Sequence, residues 1–198
     1  MTARKLFPLA LAAALLGAFA QPAAAQPKPA LLLPAGSEIG FTTRQMGVPV
    51  DGKFSTFSAA ITLDPKKPET GNVSLRIHTG SARFGSTELD AEVPKPTWLS
   101  AALFPQATFQ SSSIKGTGPG RFEVAGKLTI KGAARDITVP MQLAQSGAGT
   151  AATSTATGAF TIKRLEFKVG EAEWADTSML ANDVQVRFKL LLSGVAAL

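Results

Sequence analysis

His78 is the one imidazole in this 198-residue chain, and there is no cysteine. Histidine-based acid–base work or metal ligation would therefore run through a single ring. A metal site needs two or three further ligands converging on that ring, and no His or Cys remains to supply them. His78 shares parity with Ser74 and Arg76, opposite Leu75 and Ile77, which assigns it to a wet strand face. Carboxylates are the other source of chemistry. Glu88, Asp90 and Glu92 are close enough for paired acid–base work, as are Glu171, Glu173 and Asp176. Lys95 follows the first trio and nothing points to burial, so both trios read as solvated acidic turns. Ser and Thr abound, yet no G-x-S-x-G elbow, G-x-G-x-x-G loop or Walker-type loop activates one. The expectation is no catalytic residue, no metal and no cofactor.

The elements that would position any site are short and alternating from Ser37 to Leu192. Val184, Val186, Phe188, Leu190 and Leu192 recur at every second position, with Asp183, Gln185, Arg187 and Lys189 between the early members. A period of two gives a strand one dry and one wet face. The same pattern predicts strands over 37–44, 53–64, 73–78, 107–113, 160–169 and 183–193. It also predicts a hairpin over 121–143 that turns at Lys131-Gly132. Turns are expected at 47–52, 64–71 and 116–120, where Gly, Pro and Asp cluster. Residues 87–103, with Pro94, Pro96 and Trp98, read as one or two short helices, and 145–158 as loop or edge strand. The class is all-β: about eight strands that close as a barrel or stack as a sandwich. An interior of that size is either filled by side chains or holds one small ligand. The shortage of long helices to cover a sheet face favours a cavity, but periodicity alone leaves filled and hollow barrels even.

Composition bounds the setting. Arg4 and Lys5, an apolar stretch over 6–20 and Ala23-Ala24-Ala25 before Gln26 form the pattern of a cleaved secretory signal over 1–25. The apolar run is too short for a membrane anchor. Residues 26–36, with Pro27, Pro29 and Pro34, then read as an extended leader, and 37–198 as one domain. Cleavage would lower the net charge from +6 to +4. That charge is spread through the chain, which gives nucleic-acid binding no support. An exported chain without cysteine must be held by its core and its ladders.

Three segments carry a resemblance. Residues 45–54 (QMGVPVDGKF) look like the x-G-x-F entry of the YceI-like family. Residues 104–111 (FPQATFQS) with 124–132 (VAGKLTIKG) are similar to its F-P-x-x-x-F-x-S and G-x-L-T-I-x-G pieces. Residues 173–177 and 183–188 resemble its C-terminal end, in the right order along the chain. The resemblance implies an extended antiparallel lipocalin-like β-barrel of the bacterial periplasm. It implies a non-catalytic protein that binds an isoprenoid lipid, a quinone or a polyprenyl phosphate, in an apolar tunnel. It also implies transient contact with the inner membrane and, as for some members, a homodimer. Inward parity then assigns the tunnel wall to Ile39, Phe41, Phe57, Ile61, Leu75, Ile77, Phe109, Phe122, Val124, Leu128, Phe160, Val186 and Phe188. Trp98 and Trp174 fall near an opening. The chain departs from the family at 163–167, where KRLEF replaces an Asn-Arg pair and lacks its Gly. Arg44, Arg83, Lys163 and Arg164 are the basic residues open to a head group, and each otherwise reads as a surface charge.

The energetics of such a ligand are favourable. Each buried CH₂ contributes about 0.8 kcal/mol, so three or four isoprene units offset an association cost on the order of 10 kcal/mol. Apolar burial supplies affinity and a head group sets orientation. Two other readings stand beside this one. One is a filled barrel that docks on an envelope or membrane redox partner. The other is an enzyme acting on the lipid through Asp90, Glu92 or His78.

Overall fold

The structure, a computed structural model, describes residues 28–148 and 152–198. Alternation becomes eleven strands: β1 Leu31–Leu32, β2 Glu38–Gln45, β3 Val48–Phe54, β4 Phe57–Thr62, β5 Asn72–His78, β6 Ala82–Arg83, β7 Gln106–Gly118, β8 Arg121–Ile130, β9 Ala133–Ser146, β10 Thr153–Lys163 and β11 Asp183–Ser193. They form one antiparallel sheet in the order β4-β5-β7-β8-β9-β10-β11-β2-β3-β6, with β1 beside β11. The helix α1 spans Thr87–Glu92. The fold is thus a curled half-barrel with more strands than the eight expected, because two elements are bent and one lies in the leader.

Both bends are corners; the first has no glycine or proline at its apex, and the second holds Gly80. The run expected as one strand over 53–64 breaks at Ser55-Thr56, where the Ser55 N–H donates to Ser81 O and the Thr56 N–H to Ser81 Oγ. The chain then leaves the sheet end that holds β3 and joins the opposite end as β4. A matching corner over Thr79–Ser81 separates β5 from β6. These two corners curl the sheet. The leader helps to close it: the Ala30 N–H donates to Ile61 O on β4, while Leu31 and Leu32 pair with Ser193 and Leu192 on β11. The described part of the expected extended leader is therefore built into the wall. The expected signal segment over 1–25 lies outside the described residues.

Three local expectations need correction. Residues 47–52 are not a turn, since only Met46 and Gly47 take positive φ (49° and 82°), as a tight two-residue hairpin requires. Pro49, Asp51 and Gly52 continue as β3, paired with β2. Small residues hid β10, which begins at Thr153 and is an interior strand paired with both β9 and β11. Its Ser154 and Ala156 are buried, where larger side chains would crowd the sheet. The strand expected over 160–169 stops at Lys163, and Arg164–Phe167 forms a 3-10 turn.

β8 shows why the sheet has a dry face: Phe122, Val124 and Leu128 are buried while Arg121, Glu123 and Lys127 are exposed. On β7 the face switches, from Ala107 and Phe109 to Ile114, across a register shift between Ser111 and Ser113. One inserted residue reverses parity there.

Candidate functional site

The inner faces do not meet. They enclose a cavity of about 790 Å³, within the ~300–1,000 Å³ range of ligand sites. Its wall includes Ile39, Phe41, Ile61, Leu75, Ile77, Phe109, Val124, Leu128, Phe160, Val186 and Phe188. Two residues of the expected lining are not on it. Phe122 is 3% exposed but belongs to the packed core beyond the cavity, opposite Gly116 near the β7–β8 turn. Phe57 packs half-buried against the same core just after the β3–β4 corner. Parity predicts which face a side chain takes, not how far along the barrel the hollow extends. The wall also includes Val139, Met141, Leu143, Leu190 and Leu192, which the same alternation on β9 and β11 could have supplied.

Close backbone approach helps to keep the interior hollow. Phe41 stands opposite Gly52, and Phe188 opposite Gly158. A Cβ at Gly52 would fall 2.4 Å from Phe41 Cζ, and one at Gly158 would fall 2.5 Å from Phe188 Cζ. Each ring therefore lies along the wall over its glycine instead of standing in the lumen. Glycine is what permits that approach.

One end is covered by two crossing segments, 84–104 and 164–182, and the polar lining gathers there. Thr43 and Gln45 come from β2, Ser86, Glu88 and Glu92 from the first segment, and Arg164 and Glu173 from the second. Ser86 caps α1, its Oγ accepting from the Leu89 N–H at 3.4 Å. Asp90 Oδ1 accepts from the Phe84 N–H at 2.6 Å, so this carboxylate holds the loop before the helix. Trp98 and Trp174, one from each crossing, pack with ring centroids 5.2 Å apart at 47°. Both border the cavity. Trp98 Nε1 and Thr43 Oγ1 are buried without a hydrogen-bond partner among the described residues.

Arg164 overturns its reading as a surface charge. It is 2% exposed, and its guanidinium donates to five backbone carbonyls: Ala181 at 3.0 Å, Val169 at 3.0 Å, Gly170 at 2.7 Å, Trp174 at 2.5 Å and Leu180 at 2.8 Å. Burial pushes its pKa below the ordinary guanidinium value. The five bonds pin the 169–181 segment against the end of β10. No local pattern in the sequence marks this, because the acceptors are main-chain atoms five to seventeen residues downstream. The other three cations lie elsewhere. Arg44 is exposed and donates to Gly47 O, Arg83 stands 3.9 Å from Asp90, and Lys163 meets Asp183 at 2.5 Å. His78 is exposed and off the cavity wall. The acidic residues divide: Glu88, Glu92 and Glu173 border the cavity, whereas Glu171 pairs with Lys131 at 3.2 Å. No group of three or more His, Cys, Asp or Glu is placed to hold a metal ion among the described residues.

The family model for the YceI-like domain matches residues 32–192. The chain belongs to the YceI-like family. Among curated relatives, this YceI-like chain is 34% identical over 96 residues to a UPF0312 protein of Yersinia pestis (strain Pestoides F), and 33% identical over 96 residues to Protein YceI of Salmonella arizonae. Each match covers 48% of this chain and 50% of the relative, so the chain spans about half the length of the curated relatives it matches. The solved structure of Burkholderia cenocepacia BcnA is similar with a TM-score of 0.77 at 41% identity, covering 81% of this chain and 98% of that one. A polyisoprenoid-binding domain from Saccharophagus degradans shares the fold with a TM-score of 0.66 at 15% identity, covering 84% of this chain and 98% of that domain. The antiparallel barrel-like fold expected from the three motifs is thus the family's own.

Proposed function

We propose that this protein is a non-catalytic carrier in the bacterial periplasm that encloses the tail of an isoprenoid lipid. The observation that carries the reading is the hollow apolar interior, bordered at the crossing segments by two tryptophans and lined elsewhere by aliphatic and phenylalanine side chains. At roughly 30 Å³ per carbon-sized group, a 790 Å³ cavity takes about 26 carbons, close to five isoprene units. Longer tails would project through the mouth, consistent with a chain that is only partly gripped. The Saccharophagus degradans domain, described as polyisoprenoid-binding, lends support through the shared fold. The signal pattern over 1–25 supports export. The hollow interior weighs against a filled barrel that acts only by docking.

Mass spectrometry of organic extracts from protein produced with its full N-terminal segment tests the proposal. The expected result is an isoprenoid lipid at near-stoichiometric yield. The expected affinity of added prenols rises with length and levels off near five units. Repeated recovery of empty protein that takes up neither ubiquinone nor a polyprenol would overturn it. Release on osmotic shock would test the compartment independently.

A further inference from the structure

We infer that the cavity selects lipids with an uncharged head group over lipids carrying a phosphate, an inference that rests on the lipid-carrier reading. The head must lie at the covered end. Toward the opposite end lie packed apolar core residues such as Ile114 and Phe122, whereas Thr43, Gln45, Ser86 and three carboxylates border the cavity at the crossing segments.

The charges at that end are wrong for an anion. Of the residues on the wall, the charged ones are Glu88, Glu92, Glu173 and Arg164. Arg164 has no donor to spare for a ligand, since all three of its nitrogens already serve main-chain carbonyls. Turning it toward a phosphate would strip those carbonyls of their partners. Two lysines at the crossing segments are also committed. Lys95 Nζ sits 2.5 Å from Glu92, and Lys131, with a side chain 8% exposed, donates to Thr97 O and Lys168 O and meets Glu171 at 3.2 Å. Glu88 and Glu173 make no ion pair among the described residues. A phosphate drawn into this end would lose water, find no uncommitted cation on the cavity wall and face like charge. A hydroxyl or carbonyl head carries none of these penalties.

Geranylgeraniol and geranylgeranyl phosphate differ only in the head and, with four isoprene units, fit the cavity volume. Their affinities for the full mature protein are read from the fluorescence of Trp98 and Trp174 at pH 8 and low salt. The alcohol is expected to bind at least tenfold more tightly than the phosphate. The gap is expected to narrow as salt is raised. It should also narrow in the Glu88→Gln/Glu173→Gln variant, through a larger gain for the phosphate than for the alcohol. Equal or tighter binding of the phosphate would overturn the head-group inference while leaving the carrier reading intact. Binding of neither would overturn the carrier reading itself.

Discussion

Arg164→Met separates a structural role for the buried guanidinium from a role in gripping a ligand. Methionine keeps the apolar stem and removes every donor. Five carbonyls then lose a partner, but not equally. The bonds to Gly170 and Leu180 are buried, while those to Ala181, Val169 and Trp174 are only partly so, and water can replace the guanidinium there. Leaving a buried acceptor unpaired costs about 1–3 kcal/mol, so two of them cost roughly 2–6. Relief from burying a charge offsets part of this. The net expectation is a loss of about 3 kcal/mol, on the order of 10 °C in Tm for a chain of this size. Urea denaturation followed by tryptophan fluorescence reads the change directly, because Trp98 and Trp174 sit beside the lost bonds. Arg164→Lys should lose somewhat less, since one ammonium cannot span five acceptors. A Met variant within 1 kcal/mol of the parent would refute the argument that these bonds pin the crossing segment. So would a fully stable variant whose sole defect is weaker binding of a phosphate lipid.

Other expectations follow from the same geometry. Val124 and Val139 face each other across β8 and β9 on the cavity wall, so Val124→Trp should fill the mid-section. Uptake of a prenol should fall at least tenfold while circular dichroism stays that of the parent. Thr43→Val removes a buried hydroxyl that has no partner among the described residues, at nearly constant volume, and stability in urea should rise by about 1 kcal/mol. A fall would mean that the hydroxyl has a partner in solution. The Ser178 hydroxyl, then the Ser178 N–H, hold the Asp176 carboxylate below its ordinary pKa of 3.8. Its small stabilising contribution is therefore present above about pH 4 and fades as the pH falls through the lowered value. Ser178→Ala should raise the Asp176 pKa in an NMR titration.

What the residues alone could reveal depended on how local the cause was. β11 runs over the residues its alternation marked, 183–193, since exposed Asp183, Gln185, Arg187 and Lys189 alternate with covered Val184, Val186, Phe188 and Leu190. The Lys131-Gly132 turn was legible for the same kind of reason, as both residues take positive φ (48° and 76°). The two corners were not, because Ser55-Thr56 and Thr79–Ser81 are held by bonds to each other, across some 25 residues. β10 escaped notice because its buried end is built of Ser and Ala, which carry no hydrophobic alternation. At the mouth, Trp98 and Trp174 stood out by type, but the acidic rim looked like ordinary surface. Only the meeting of two segments some eighty residues apart brings it to the cavity. Arg164 was the least legible residue of all, since its partners are peptide groups rather than side chains.

The flattened rings of Phe41 and Phe188 mean that the bore of this vessel is set partly by positions that carry no side chain. One methyl added at Gly52 would press against the Phe41 plate, tilt it inward and throttle the channel without altering any residue on its wall, whereas one at Gly158 would also strike the Pro140 carbonyl and strain the pairing of β9 with β10. Calibre can therefore drift between relatives through glycine-to-alanine exchange alone, and a survey confined to the lining would miss the cause.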